Sequence, residues 1–435
     1  MIFESLFARK KESTVKGTES YYGLSSLNVL KKKFAKSTNT DFVSPCLAYV
    51  AFSYKTVCKH FGESKANELQ HEAAKTLLDV SNASITVARL DNGVFLLSMI
   101  CPDGLQAERS VEDLTTLLNR KQKILLVGDL APFRAGIFLA SADKPSFDTA
   151  LANAQIGYSY ARAENRFVLT CTPDILQREA IKNKLRDKLL QCLKDGQFEM
   201  YLQFIYNVKE NRCTGAEALS RWHNPDEGVL MPSYYIRDMQ QTGVIEQFDY
   251  YMLRKICSLL QEWSNTEFSG LTLSCNITRI TLSSDKFKKN LESILNDYTF
   301  DRNKLILEIT EDSLIDDRQT ARENLAACKK AGLQIAIDGY GEGSTSIDDI
   351  RDFSVDYVKI DRQLIAESKK NSALLSTLIE QAHSQNLQVV CEGVETKQEK
   401  DSVLKKGTDF IQGYLFSYVL SVDEAKEQYL KSLNA

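Results

Sequence analysis

Leu305-Ile-Leu-Glu308 and Gln334-Ile-Ala-Ile-Asp338 decide the fold of the second half of this chain. Each reads as a short apolar strand that ends on a carboxylate, and the segment between them has the spacing of an amphipathic helix stopping at Gly332. Outward from this pair the same unit recurs. Upstream, Glu217 sits in a strand over 215–220, and Leu271-Thr-Leu-Ser-Cys ends at Asn276. Downstream, Tyr357-Val reaches Lys359, Leu387-Gln-Val-Val-Cys ends at Glu392, and Gln412 follows Phe410-Ile. Strands alternating with helices from about residue 198 predict an α/β barrel or doubly wound sheet, and in a barrel the carboxyl ends of the strands are where sites are built. A single carboxylate at a strand end is usually a turn former or helix cap. A succession of polar groups at seven strand ends is not explained that way.

The donor set is hard oxygen. It holds carboxylates, an Asn and a Gln, while His60, His71, His223 and His383 match no metal-binding spacing. Such donors favour Mg²⁺ or Mn²⁺ over Zn²⁺. Carboxylates converging on one mouth repel each other unless cations sit among them, and two divalent ions can clamp an in-line phosphoryl displacement. Metal-assisted phosphodiester hydrolysis is therefore the expected chemistry, with Lys359 stabilising developing charge or orienting water.

Composition restricts the alternatives. The 435 residues suffice for two or three domains, and 54 Lys plus Arg against 58 Asp plus Glu give a net charge of −4, without the basic excess that would hold a nucleic-acid polymer. Ten cysteines are scattered singly with no Cys-x-x-Cys pair, several in apolar runs, which suggests reduced thiols and a cytoplasmic setting. No apolar run approaches the ~20 residues of a membrane span.

Residues 1–22 are expected to be a mobile arm. Residues 23–172 read as an α+β domain: strand 48–52, long helix 64–78, a hairpin of 84–90 and 94–100 about Asp91-Asn92-Gly93, helix 111–118, strands 123–127 and 134–140, helix 146–162 and strand 167–171. Residues 173–190 form an expected connecting helix, able to transmit orientation or simply packed on either neighbour, and 191–435 the barrel domain.

Glu217-Ala-Leu-Ser-Arg221-Trp222, Glu308-Ile-Thr-Glu311, Lys359-Ile-Asp361, Glu392-Gly-Val-Glu395-Thr396 and Gln412-Gly-Tyr414 resemble, in order, the motifs of the EAL domain, the cyclic di-GMP phosphodiesterase family of bacteria. The resemblance implies a modified TIM (β/α)8 barrel, usually a homodimer, that hydrolyses cyclic di-GMP to linear pGpG with two Mg²⁺ or Mn²⁺ ions. By motif it implies metal ligands Glu217, Asn276, Glu308, Asp338 and Glu392. Lys359 and Glu395 would assist the water, Gln203, Arg221 and Gln412 would contact the dinucleotide, and Glu311 would stabilise the loop beside the metals. Arg221 could instead pair with Glu217, and Glu311 could be a simple helix cap.

The first half resembles a degenerate GGDEF domain, the diguanylate cyclase fold. Its signature positions read Asp91-Asn92-Gly93-Val94-Phe95, of which Phe95 alone agrees; Val50 or Phe52 stands for the metal-binding aspartate, and Asn82 and Ile85 for the inhibitory-site Arg and Asp. Without those carboxylates cyclase chemistry has no basis, so a regulatory or dimerisation role, with a protein partner, is expected.

The EAL resemblance also breaks at one position. Two consecutive aspartates are expected where this chain reads Asp338-Gly339, so the second metal is weakened, unless Glu342 reaches back. Two classes follow: a working phosphodiesterase, or a receptor that binds cyclic di-GMP without cleaving it.

Overall fold

Strand periodicity in the first unit divides apolar residues between two faces of one sheet, and helices cover both. The computed structural model describes residues 21–38, 44–125, 127–128, 130–140, 145–314, 318–341, 353–367 and 372–433. The expected arm lies almost wholly outside them, as does Glu342. The chain divides into two compact units, Met1–Ile181 and Lys182–Ala435.

In the first unit, helix α1 (Leu27–Ser37) precedes β1 (Ser44–Ala51), and α2 (Tyr54–Phe61) and α3 (Glu63–Val80) follow it. Next come β2 (Ile85–Asp91), β3 (Val94–Cys101), α4 (Gly104–Ile124), β4 (Arg134–Leu139), α5 (Phe147–Ala163) and β5 (Val168–Thr170). The sheet order is β2-β3-β1-β4-β5, antiparallel except for β4 with β5. On one face Ala48, Val50, Val87 and Phe95 pack with Leu69, Leu77, Val111 and Leu118. On the other, Leu47, Ala88, Leu96 and Phe138 pack with Leu30, Phe34, Ala150 and Ala154. The hairpin turns at Asn92-Gly93, where Gly93 has φ +72° and an added Cβ would stand 2.8 Å from the Phe52 carbonyl.

One expected strand is not found among the described residues. Lys123-Ile-Leu-Leu-Val127 begins as the last turn of α4, because buried positions at Ala107, Val111, Leu114, Leu118 and Gln122 hold helical spacing through the region. Ile124 is left 73% exposed, while Val127 is buried in the core beneath the sheet without pairing as a strand.

Helix α6 (Pro173–Lys194) contains the division between the units. Ile175 packs with Ala161 and Leu169, while Leu189, Cys192 and Leu193 pack with Phe198, Trp222 and Phe248.

The second unit is a closed eight-stranded barrel with helices outside. Its strands are β6 (Phe198–Asn207), β7 (Arg212–Asn224), β9 (Thr272–Asn276), β10 (Leu305–Thr310), β11 (Gln334–Asp338), β12 (Tyr357–Ile360), β13 (Gln388–Cys391) and β14 (Phe410–Gln412); β8 (Gly228–Leu230) and β15 (Leu420–Ser421) are outer additions to β7 and β6. From β7 through β14 successive barrel strands are parallel. β6 closes the ring antiparallel to both neighbours, β7 and β14, which is the modification of the parallel (β/α)8 pattern. Outward-facing Leu273, Leu307, Ile335, Ile337, Val358 and Val389 bury against the helices, including α7 (Ile245–Trp263) through Leu253, Ile256 and Leu260. Among the described residues no helix is long and apolar enough to cross a membrane, and all ten cysteines are free thiols, most of them buried.

The closest helix–sheet approach in the first unit is α5 on β4. A Cβ on Gly136 would lie 2.0 Å from the Tyr158 amide nitrogen and 2.1 Å from the Ala154 carbonyl. Both obstacles are backbone, so neither rotates away. Gly136→Ala is expected to destabilise the protein by at least ~2 kcal/mol through overpacking, seen as a lower thermal midpoint, whereas Gly270→Ala, with open space around it, should leave the midpoint within a degree or two.

Candidate active site

Alternation along the barrel strands points every second side chain into the lumen. At the carboxyl ends this places Glu217, Asn276, Glu308, Lys359, Glu392 and Gln412 together, with Gln203 reaching them from the antiparallel strand. The Lys359 ammonium is the centre. Its Nζ lies 2.9 Å from Glu217 Oε2, 2.8 Å from Glu308 Oε2 and 2.5 Å from Glu392 Oε1, and the side chain is 2% exposed. Glu217 also accepts from Asn276 Nδ2 at 2.9 Å and from Gln412 Nε2 at 2.8 Å, and Gln412 Nε2 reaches Gln203 Oε1 at 3.1 Å. Gln203 in turn donates to the Ser417 carbonyl.

Burial and charge set the protonation of this cluster. Burial alone would discharge Lys359, but Glu217, Glu308, Glu392 and Asp338 outweigh it and hold the ammonium well above its ordinary range. Burial also pushes Glu217 up, yet Lys359 and the Gln412 and Asn276 donors bring it below the usual carboxylate value. The other acids share one cation among them. Burial and the neighbouring Glu217 push Glu308 up to about 8, and burial pushes Glu392 up to about 7 against the pull of Lys359. Asp338 is raised by burial, though Lys359 and the Gly339 amide oppose this. The ring therefore carries more acid than its one ammonium neutralises.

That deficit, and a donor set made only of oxygen, fit a hard divalent cation. In the described conformation Lys359 stands between the carboxylates, and among the described residues no three His, Cys, Asp or Glu side chains are close enough to share an ion. Asp338 lies at the end of β11, followed by Gly339 at φ +73°.

The remaining residues expected at the site are near the mouth but not in this network. Arg221 is turned aside: Nη1 donates to the Ser220 carbonyl and the guanidinium lies 5.7 Å from the Tyr201 ring centroid, so it is not the partner of Glu217. Glu395 is held by Arg362 in a two-pronged ion pair, 2.5 and 2.7 Å. Glu311 is buried at the start of the turn after β10, and its charge adds to the burial that raises Tyr340. Arg362 escaped the sequence reading, although its place directly after Lys359-Ile-Asp361 puts it in the first turn behind a barrel strand, where side chains line a mouth. Asp249 on α7 also escaped it. Its Oδ2 accepts from the Thr278 amide and hydroxyl and the Thr281 hydroxyl, at 2.9, 2.7 and 2.6 Å, and so ties down the segment just beyond Asn276. Its signal was its register: Asp249 falls at helical spacing between the apolar Ile245 and Leu253, which places an acid on the buried side of the helix.

The mouth forms a cavity of about 290 Å³ lined by Gln203, Glu217, Arg362, Glu392, Glu395 and Gln412, among others. A second, of about 250 Å³, enters the lumen from the opposite end past Gly215, Thr272 and Ala336 and reaches Glu308 and Lys359. Its lining includes the small residues Gly215 and Ala336.

The EAL domain matches residues 183–418, more than half of the chain. The chain belongs to the EAL domain family. Over 87% of its length it is 26% identical to the cyclic di-GMP phosphodiesterase NbdA of Pseudomonas aeruginosa, covering 49% of that protein. It is 24% identical to the signaling protein YkoW of Bacillus subtilis over 84% of this chain and 46% of that one. The chain thus spans about half the length of the curated relatives it matches. Two solved structures share the fold. The EAL enzyme Bd1971, in a form bound to cAMP and cyclic di-GMP, has a TM-score of 0.54 at 20% identity and covers 89% of this chain and 95% of its own. The FimX EAL domain from Pseudomonas aeruginosa, bound to c-di-GMP, has a TM-score of 0.50 at 19% identity, covering 54% and 96%.

The raised carboxyls of this EAL barrel set a stability profile. Glu308 and Glu392 ionise at higher pH folded than unfolded, so the folded state binds the extra protons. Their contribution to stability is present in full below the ordinary carboxylate range and is lost as pH rises through about 7 to 8. Metal-free protein in chelator should lose on the order of a few kcal/mol between pH 6 and 9, read as a falling thermal midpoint. Glu308→Gln should flatten that slope; an equally steep slope in the variant would refute the assignment.

Proposed function

We propose that this EAL protein is a cyclic di-GMP phosphodiesterase that opens the ring to linear pGpG. The observation that carries the reading is the buried Lys359 ammonium ringed by Glu217, Glu308 and Glu392 at the carboxyl mouth of the barrel. A cluster so expensive to bury is retained where charge has to be handled. The phosphodiesterase named among the relatives supports the same reading.

Glu217, Asn276, Glu308, Asp338 and Glu392 would hold Mg²⁺ or Mn²⁺. Such a cation supplies Lewis acidity and a water that deprotonates near neutral pH. Lys359 keeps three of the carboxylates aligned and offers positive charge to the phosphoryl oxygens as charge develops. Glu395, aimed by Arg362, would receive the proton of the attacking water. Gln203, Gln412 and Arg221 would hold the dinucleotide, with Arg221 swinging from the Ser220 carbonyl. Attack at phosphorus breaks the P–O3′ bond, leaving a 3′-hydroxyl and a 5′-phosphate.

Gly339 favours a second reading, a receptor that binds without cleaving, since a carboxylate at that position would have served the second metal. For the first unit we read regulation, not cyclase chemistry. Val50 and Phe52 are buried in its apolar core, and the Gly93 amide in the hairpin turn is closed off by Gln70 Oε1 at 2.6 Å. Homodimerisation, a protein partner for that unit and a cytoplasmic location belong to the same proposal.

Turnover of cyclic di-GMP with Mg²⁺ and then Mn²⁺, followed as linear pGpG by chromatography, tests the reading. Product that disappears in Glu217→Ala establishes the phosphodiesterase; tight binding with no product in either metal establishes the receptor. Gly339→Asp should raise turnover and tighten the second metal at least ~10-fold, because Asp tolerates the left-handed backbone there better than most side chains. Unchanged metal dependence in that variant would remove Gly339 from the account.

A further inference from the structure

The loop after β14 alternates. Phe416 points inward and stacks on Tyr206, ring centroids 4.3 Å apart, with the Lys400 ammonium 5.3 Å from the Phe416 ring. Tyr414 and Tyr418 point outward and stack on each other at 5.3 Å and 30°, yet are 49% and 67% exposed. A single exposed tyrosine needs no explanation. Two rings prestacked at the edge of a polar cavity are a different case, because the cavity's lining residues include one aromatic, Tyr414.

The backbone beneath the pair is clamped. Phe416 and Ser417 amides both bond to the Gly413 carbonyl, the Leu415 amide bonds to the Val394 carbonyl, and the Val394 amide to the Gln412 carbonyl. Gly413 itself admits no side chain, since a Cβ would stand 2.2 Å from the Val394 oxygen. Ser417 is further held by Gln203, a residue of the cavity. The rings therefore stand on a fixed base tied to the same side chains that line the site, and little conformational entropy remains to be lost when something flat settles against them.

We propose that Tyr414 and Tyr418 form a base-stacking platform that takes one purine of the dinucleotide while its phosphates enter the cavity at Gln412. The inference rests on the cyclic di-GMP reading above and assigns a substrate-positioning role to two residues outside the charged network. Base–aromatic stacking is sequence-tolerant in itself, so the platform supplies affinity and orientation, and the polar groups supply the choice of base.

Titration of the full chain with cyclic di-GMP in chelator, followed by tyrosine fluorescence and by calorimetry, tests it. Tyr418→Ala and the Tyr414→Ala, Tyr418→Ala double variant should weaken binding about 5- to 100-fold, and Tyr418→Phe, which keeps the ring, should stay within about twofold of wild type. In turnover, KM should rise more than kcat falls. Wild-type binding that is unchanged in both alanine variants would overturn the platform and leave the phosphodiesterase reading standing. Failure of the wild-type chain to bind cyclic di-GMP at all would overturn both.

Discussion

One buried ammonium organises the second unit. Lys359 is nearly inaccessible and touches three carboxylates, from β7, from β10 and from the residue directly after β13. Burying any of these ions alone would be prohibitive, and the pairing offsets the cost only because each acid has further donors or a proton. The barrel ring and the charged network therefore depend on each other: the strands bring the groups to one level, and the groups fix the register of strand ends that have few side chains to pack in the lumen.

The antiparallel strand β6 has a chemical consequence as well as a topological one. It places Gln203 opposite Glu217 in the β6–β7 register and lets it bond Gln412 from β14. One amide thus spans the seam where the barrel closes. The same residue holds Ser417, so closure of the ring, the polar floor of the mouth and the aromatic loop above it share a single hydrogen-bonded path.

The first unit shows a different economy. Its hairpin turn is pinned by Gln70, whose Oε1 accepts from the Gly93 amide, and Val50 and Phe52 beside it are buried in the apolar core.

The barrel and most of its polar strand ends were legible because strand period, strand length and a terminal polar residue are local properties, although Glu217 lies in mid-strand, β7 running well beyond the expected 215–220. The hairpin at Asn92-Gly93 was legible for the same reason. The supposed strand at 123–127 failed because a short apolar run has no period of its own and the preceding helix extends into its first two residues. Arg362 and Asp249 were missed because their partners lie 33 and 29 residues away in the chain, and the stacking of Tyr414 on Tyr418 because it depends on the path of the loop after β14. The order of residues by itself determined which groups reach the mouth. Only the tertiary structure decided that one ammonium would sit among three carboxylates, because proximity across a closed sheet sets burial, and burial sets which of them hold a proton.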